Sequence, residues 1–169
     1  TAEKNLGFVI TNDEGKANLT MKADDLIKTK DGKIQFKASY AGNKQMEAAD
    51  AEITIKRAWL EINPVKEDSI FTVKAKLVSP GADSSVKDVT VGIYVKRSFN
   101  PLKIGEGTTD ESGEVSVEIP GGLPGDEKGN ITLLAKLDEN ETFGNLEAAS
   151  SQKWGTAVTV KDMEHTRAL

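Results

Sequence analysis

In four stretches of this chain, apolar residues recur at every second position. Lys33–Tyr40 places Ile34, Phe36, Ala38 and Tyr40 on one side, and Phe71–Leu77 does the same with Phe71, Val73, Ala75 and Leu77. Val89–Val95 aligns Val89, Val91, Ile93 and Val95, and Glu114–Ile119 aligns Val115, Val117 and Ile119. Successive side chains of a β-strand point to opposite faces, so this period suits a strand with one face buried. Turn-forming pairs separate the runs: Asp31-Gly32, Pro80-Gly81, Ser112-Gly113, Gly121-Gly122, Pro124-Gly125 and Lys128-Gly129. Together they predict strands near 6–11, 15–21, 32–40, 51–57, 59–65, 69–79, 88–97, 102–108, 113–119, 129–137 and 154–161. Short strands at this spacing predict an all-β, antiparallel sandwich architecture. Lys44–Ala51 is rich in helix formers but short and without an apolar stripe, which predicts a loop or a single turn.

The chain also repeats itself. Thr11-Asn12-Asp13-Glu14-Gly15-Lys16-Ala17 matches Thr109-Asp110-Glu111-Ser112-Gly113-Glu114-Val115 at an offset of 98 (113 minus 15). After a slip of one residue the offset is 97, and it aligns Leu26 with Leu123, Gly32 with Gly129, Ile34 with Ile131, Ala38 with Ala135 and Asn43 with Asn140. Phe36 falls on Leu133 and Met46 on Phe143. A spacing near 100 residues is the size of one sandwich domain. The second copy has Trp59 to Thr108 ahead of its Thr-Asp-x-x-Gly turn, whereas the first has ten residues, so its opening strands are missing. Three strands with a half-exposed face make a poor independent core. Either this chain is a piece of a longer protein, or another chain donates the missing strands.

The run Thr109–Val117, followed by Pro120 and a strand containing Leu133 and Ala135, resembles bacterial Ig-like repeats. It is also similar to the carboxypeptidase-regulatory, prealbumin-like sandwich. In those families a T-D-x-x-G turn joins two strands, and Thr11-Asn12-Asp13-Glu14-Gly15 is a variant of it. The resemblance implies tandem Ig-like (fibronectin III-like or prealbumin-like) sandwiches. Residues 1–58 would be the C-terminal half of one copy, and residues 59–169 a complete copy with a polar tail. It implies stalk, spacer, adhesion and assembly roles on exported or membrane-anchored proteins, and no shared catalytic residues.

Composition narrows the function further. Cysteine is absent, which removes disulfides, thiolate nucleophiles and thiolate metal sites. A net charge of −5 argues against a phosphate-binding surface and a nucleic-acid partner. No apolar run reaches the ~20 residues that span a bilayer. The opening residues carry no basic segment followed by an apolar one, so they do not read as a signal peptide. Arg167-Ala168-Leu169 could precede a transmembrane segment outside these residues.

The chemical candidates are few. Asp110 and Glu111, with Asp13 and Glu14 in the first copy, are candidates for calcium, which takes six to eight oxygens. The competing reading is a solvated turn whose Asp or Asn bonds local backbone. Asp24 and Asp25, or Asp138, Glu139 and Glu141, are carboxylate clusters, but neighbours on a strand face opposite ways and cannot flank one glycosidic bond. His165, the only histidine, sits in a polar tail. No G-x-S-x-G elbow occurs, and Gly121–Gly125 lacks the Lys-Ser/Thr of a phosphate loop. Trp59, Trp154 and Phe99 are the candidates for partner or ligand contact, against the alternatives that the tryptophans pack at the core or the domain joint and that Phe99 is a buried loop anchor.

These features predict a non-catalytic structural or interaction module of an exported or membrane-anchored bacterial protein. It would act outside the cytoplasm, without cofactor, and contact protein partners or neighbouring domains. A carbohydrate-binding or adhesin-type module is the alternative. A second is an accessory domain of an enzyme whose catalytic part lies elsewhere.

Overall fold

The structure is a computed structural model that describes residues 3–22, 25–27, 29–81 and 86–158. His165 and the expected residues 159–161 of the last strand lie outside the described residues. The described residues hold nine strands and no α-helix, so the all-β expectation holds. They are β1 (Lys33–Tyr40), β2 (Ala49–Lys56), β3 (Trp59–Glu67), β4 (Ile70–Val78), β5 (Thr90–Val95), β6 (Leu102–Thr108), β7 (Glu114–Ile119), β8 (Ile131–Asn140) and β9 (Gly144–Gln152).

From β3 onward the strands form two antiparallel sheets, ordered β3-β4-β7 and β6-β5-β8-β9. The inward positions of both sheets meet in one core. Leu60, Val73, Ala75, Leu77, Val115, Val117 and Ile119 come from the first sheet. Val91, Ile93, Val95, Ile131, Leu133, Ala135 and Leu137 come from the second. The result is a sandwich-like arrangement in which period-two side chains from each sheet interdigitate. Pro64, which lacks an N–H, sits in β3 at the edge of its sheet, the place in a sheet where proline is tolerated. Gly105 and Gly107 let β6 approach β7 closely. A Cβ on either would stand 2.7 or 2.5 Å from a methyl of Val117 or Val115.

Three sequence expectations need correction. Residues 6–11 and 15–21 alternate like strands but form none, because among the described residues no neighbouring strand accepts their backbone bonds. Among the described residues beyond Gln152, which end at 158, only an isolated parallel bridge, Pro124 to Thr156, stands where a last strand was expected. The last strand among the described residues is β9, Gly144-Asn-Leu-Glu-Ala-Ala-Ser-Ser-Gln152, whose small and polar residues carry no strong strand signal. Lys44–Met46 is a bend, as the loop reading expects, and the chain enters β2 at Ala49.

β1 and β2 form a separate two-stranded sheet. It is tied to the rest of the protein by Lys56 N–H donating to Thr142 O in the β8–β9 loop (2.6 Å), and the next residue, Arg57, accepts through its carbonyl from Ser79 Oγ (3.0 Å).

Candidate interaction surface

Three turns share one bonding scheme. In each, the side-chain oxygen of an Asn or Asp accepts the amides two and four residues on. These are Asn12 with Glu14 and Lys16, Asp110 with Ser112 and Glu114, and Asp126 with Lys128 and Asn130. In each a glycine at the fourth position, Gly15, Gly113 or Gly129, has φ between 73° and 79°. The Ser112 hydroxyl, then the Glu114 amide, hold the Asp110 carboxyl below the usual carboxylate range. For Asp126 the Asn130 side chain does the same.

The calcium candidates therefore sit in this turn. Asp110 is engaged by its own loop, and Glu111 accepts from Lys87 Nζ at 3.2 Å with its side chain exposed. Asp13 and Glu14 occupy the matching turn, where Glu14 pairs with Lys16 at 2.9 Å. Among the described residues, no three acidic or histidine side chains gather as metal ligands would.

The aromatic candidates separate. Trp154 packs on the core and tilts against Phe71 with ring centroids 5.2 Å apart, while Lys66 Nζ lies 5.0 Å above the Phe71 ring. Trp59 is 43% exposed and its indole N–H reaches Glu61 Oε1 at 3.2 Å, while the next residue, Leu60, enters the core. Phe99 is 97% exposed in the β5–β6 loop. The structure does not gather these three into one surface: they sit at the start of β3, in the β5–β6 loop and beyond β9.

The concentrated apolar surface lies elsewhere, in residues 3–56. The β1–β2 register pairs Ile34 with Ile55, Phe36 with Ile53, Ala38 with Ala51 and Tyr40 with Ala49. Those pairs share one face, and Gln35, Lys37, Glu52 and Thr54 occupy the other. Ile53 is 59% exposed and Tyr40 42%, and in the segment that precedes the hairpin Phe8 and Ile10 are 89% and 85% exposed. Large exposed apolar side chains are thus concentrated in this part of the described chain. Sequence reasoning did not single out Phe8, Ile10 or Ile53. The available signal was that their segments alternate without a partner sheet.

This hairpin has a counterpart in the sandwich. Adding 97 to the pair Ile34–Ile55 gives Ile131–Gln152, and adding 97 to Ala38–Ala51 gives Ala135–Ala148, both of which are observed pairs. The connecting loops match as well. Asn43 Oδ1 accepts from the amides of Gln45 and Met46, and Asn140 Oδ1 from those of Thr142 and Phe143.

No family model matches the chain, and no curated protein matches it.

The two hairpins differ in their surroundings. Ile131, Leu133, Ala135 and Leu137 are buried, whereas their counterparts Ile34 and Phe36 are half-buried and Ala38 and Tyr40 exposed. Two hairpins of matching register thus differ in burial, β8 lying in the core and β1 only partly covered.

Proposed function

We propose that the chain is a non-catalytic interaction or spacer module built of tandem Ig-like repeats. Residues 3–56 would be the closing half of one repeat, and residues 59–158 the sandwich of the next. The observation that carries this reading is the common register and common Asn-capped loop of β1–β2 and β8–β9. A second support is the Asn12 turn, which shares with the Asp110 turn the side-chain bonds to the amides two and four residues on. Such repeats act by presenting surfaces and setting distances, and the apolar face of β1–β2 is the surface offered here. The resemblance of Thr109–Val117 to bacterial Ig-like repeats is what supports a location outside the cytoplasm under this reading. Its partner would be protein, either a neighbouring domain or another chain.

A carbohydrate-binding reading rests on one observation, the exposed ring of Trp59. Two measurements decide between them. Amide hydrogen exchange should be slow in β3–β9 and fast in residues 3–56, because an uncovered hairpin opens easily. Equally slow exchange in β1 and β2 would mean that this half is complete as it stands, and would sink the tandem reading. Tryptophan fluorescence should be unchanged on adding oligosaccharides. A saturable shift would favour the sugar-binding alternative.

A further inference from the structure

Resting on the tandem reading, the match between the two halves specifies what covers the exposed face. In the sandwich, β8 has a neighbour on each side. β9 lies on one edge, and β5 lies on the other through Val95–Leu133, Tyr94–Leu134, Ile93–Ala135 and Gly92–Lys136. Subtracting 97 carries the β5-facing positions to Phe36, Lys37, Ala38 and Ser39 of β1. β1 has β2 on the equivalent of the β9 edge. Among the described residues, no strand pairs with its other edge.

Two further contacts point to the same missing element. Thr109 is 2% exposed because its hydroxyl donates to Val86 O (2.5 Å) and accepts from Val89 N–H (2.9 Å), both on the approach to β5. Its counterpart Thr11 is exposed. Gly113 O accepts from Leu77 N–H of β4 at 2.8 Å. Its counterpart Gly15 meets no atom within 4 Å of where a Cβ would stand. Each lost partner belongs to β4, β5 or the chain between them.

We infer that the free edge of β1 at Phe36–Ser39 is a docking site for a β-strand of the β5 type, carried by polypeptide outside these 169 residues. The strand runs antiparallel to β1. It places apolar side chains opposite Phe36 and Ala38, over the Ile34, Phe36, Ile53 and Ile55 face, and polar or aromatic ones opposite Lys37 and Ser39. The main-chain ladder supplies the attachment, and the alternating pockets supply the register. An unpaired edge beside an apolar face is the arrangement that recruits such a strand.

Because the chain has no cysteine, a single one reports the register. The variant is Lys37→Cys, at an exposed position whose pairing with Glu52 spans 3.6 Å at the surface. The probe is a synthetic peptide with the sequence of Asp88–Lys96 in which the Tyr94 position is cysteine. Directly opposed residues of an antiparallel pair lie within reach of a disulfide. Control peptides place the cysteine at the Gly92 position, two residues out of register, or scramble the order. After equilibration with glutathione, mass spectrometry reads the mixed disulfide. The in-register peptide should be trapped at least about tenfold more than either control. Equal trapping of all three would overturn the inference. So would preferential disulfide dimers of the protein, which would mean that a second copy covers the face. Slow exchange in β1 of the free protein would defeat the tandem reading itself. Fast exchange without register preference would defeat the docking site alone.

Discussion

Asn43 and Asn140 cap their loops with the same two hydrogen bonds, to the amides two and three residues ahead, at 2.8 and 2.9 Å in one case and 3.0 Å twice in the other. Their consequences differ because Phe143 is buried at 3% exposure while Met46 is 59% exposed. Asn140→Ala should therefore lower sandwich stability by about 1–2 kcal/mol, since it unpairs amides that position a core side chain. Asn43→Ala should leave the main thermal transition within about 0.5 kcal/mol of wild type. Equal effects in urea melts would show that both loops are equally loaded.

Thr109 and Thr11 form a second matched pair with unequal stakes. Thr109→Ala strips the partner from the buried Val89 amide and should cost about 1–3 kcal/mol. Thr11→Ala should cost nothing measurable, because Thr11 is exposed. Differential scanning calorimetry on both variants checks this.

Two substitutions test the core and its turn. Gly113 has φ +79°, and an added Cβ would collide with the carbonyl oxygen of Leu77 and press on Val86. Gly113→Val should destabilise the sandwich by roughly 1–3 kcal/mol. Ile131 is 4% exposed at the start of β8, and Ile131→Ala should cost roughly 2–5 kcal/mol. Unchanged melts in both would refute this core assignment.

The Asx-type turns predict an acid limb. Asp110 is held low by Ser112 and Glu114, Asp126 by Asn130, and Asp31 by the Lys33 amide and the Thr29 hydroxyl. A depressed folded-state pKa means that the unfolded chain binds more protons in the interval between the two values. Their contribution is then complete above the ordinary carboxylate range and fades as pH falls below about 4 through the folded values. Asp110→Asn keeps the acceptor oxygen and removes the titration. Urea midpoints between pH 5 and pH 2.5 should fall less steeply in that variant. Identical slopes would mean that Asp110 does not contribute to acid unfolding.

The alternation of Val73, Ala75 and Leu77, or of Val115, Val117 and Ile119, marked strands that the structure bears out, because these side chains need one dry face and their neighbours a wet one. The turns at Gly32, Gly113 and Gly129 were legible for a similar reason, since each glycine takes a positive φ that few other residues adopt. β9 was not legible: Leu146, Ala148 and Ser150 carry little apolar signal. They form a strand because Leu137, Ala135 and Leu133 of β8 present a ladder to them. Leu6–Ile10 and Ala17–Met21 are the converse, with the pattern of strands and no strand beside them.

Trp59, Phe99 and Trp154 show the same division for the surface. Their size suggested contact residues, but burial of Trp154 against Phe71 and exposure of Phe99 depend on what the rest of the chain places beside them. By itself the sequence determined which residues want a dry face and where the backbone must turn. Tertiary structure alone decided which faces become dry, because a β-strand satisfies its backbone and its apolar side only when a neighbouring strand and an opposing sheet are present.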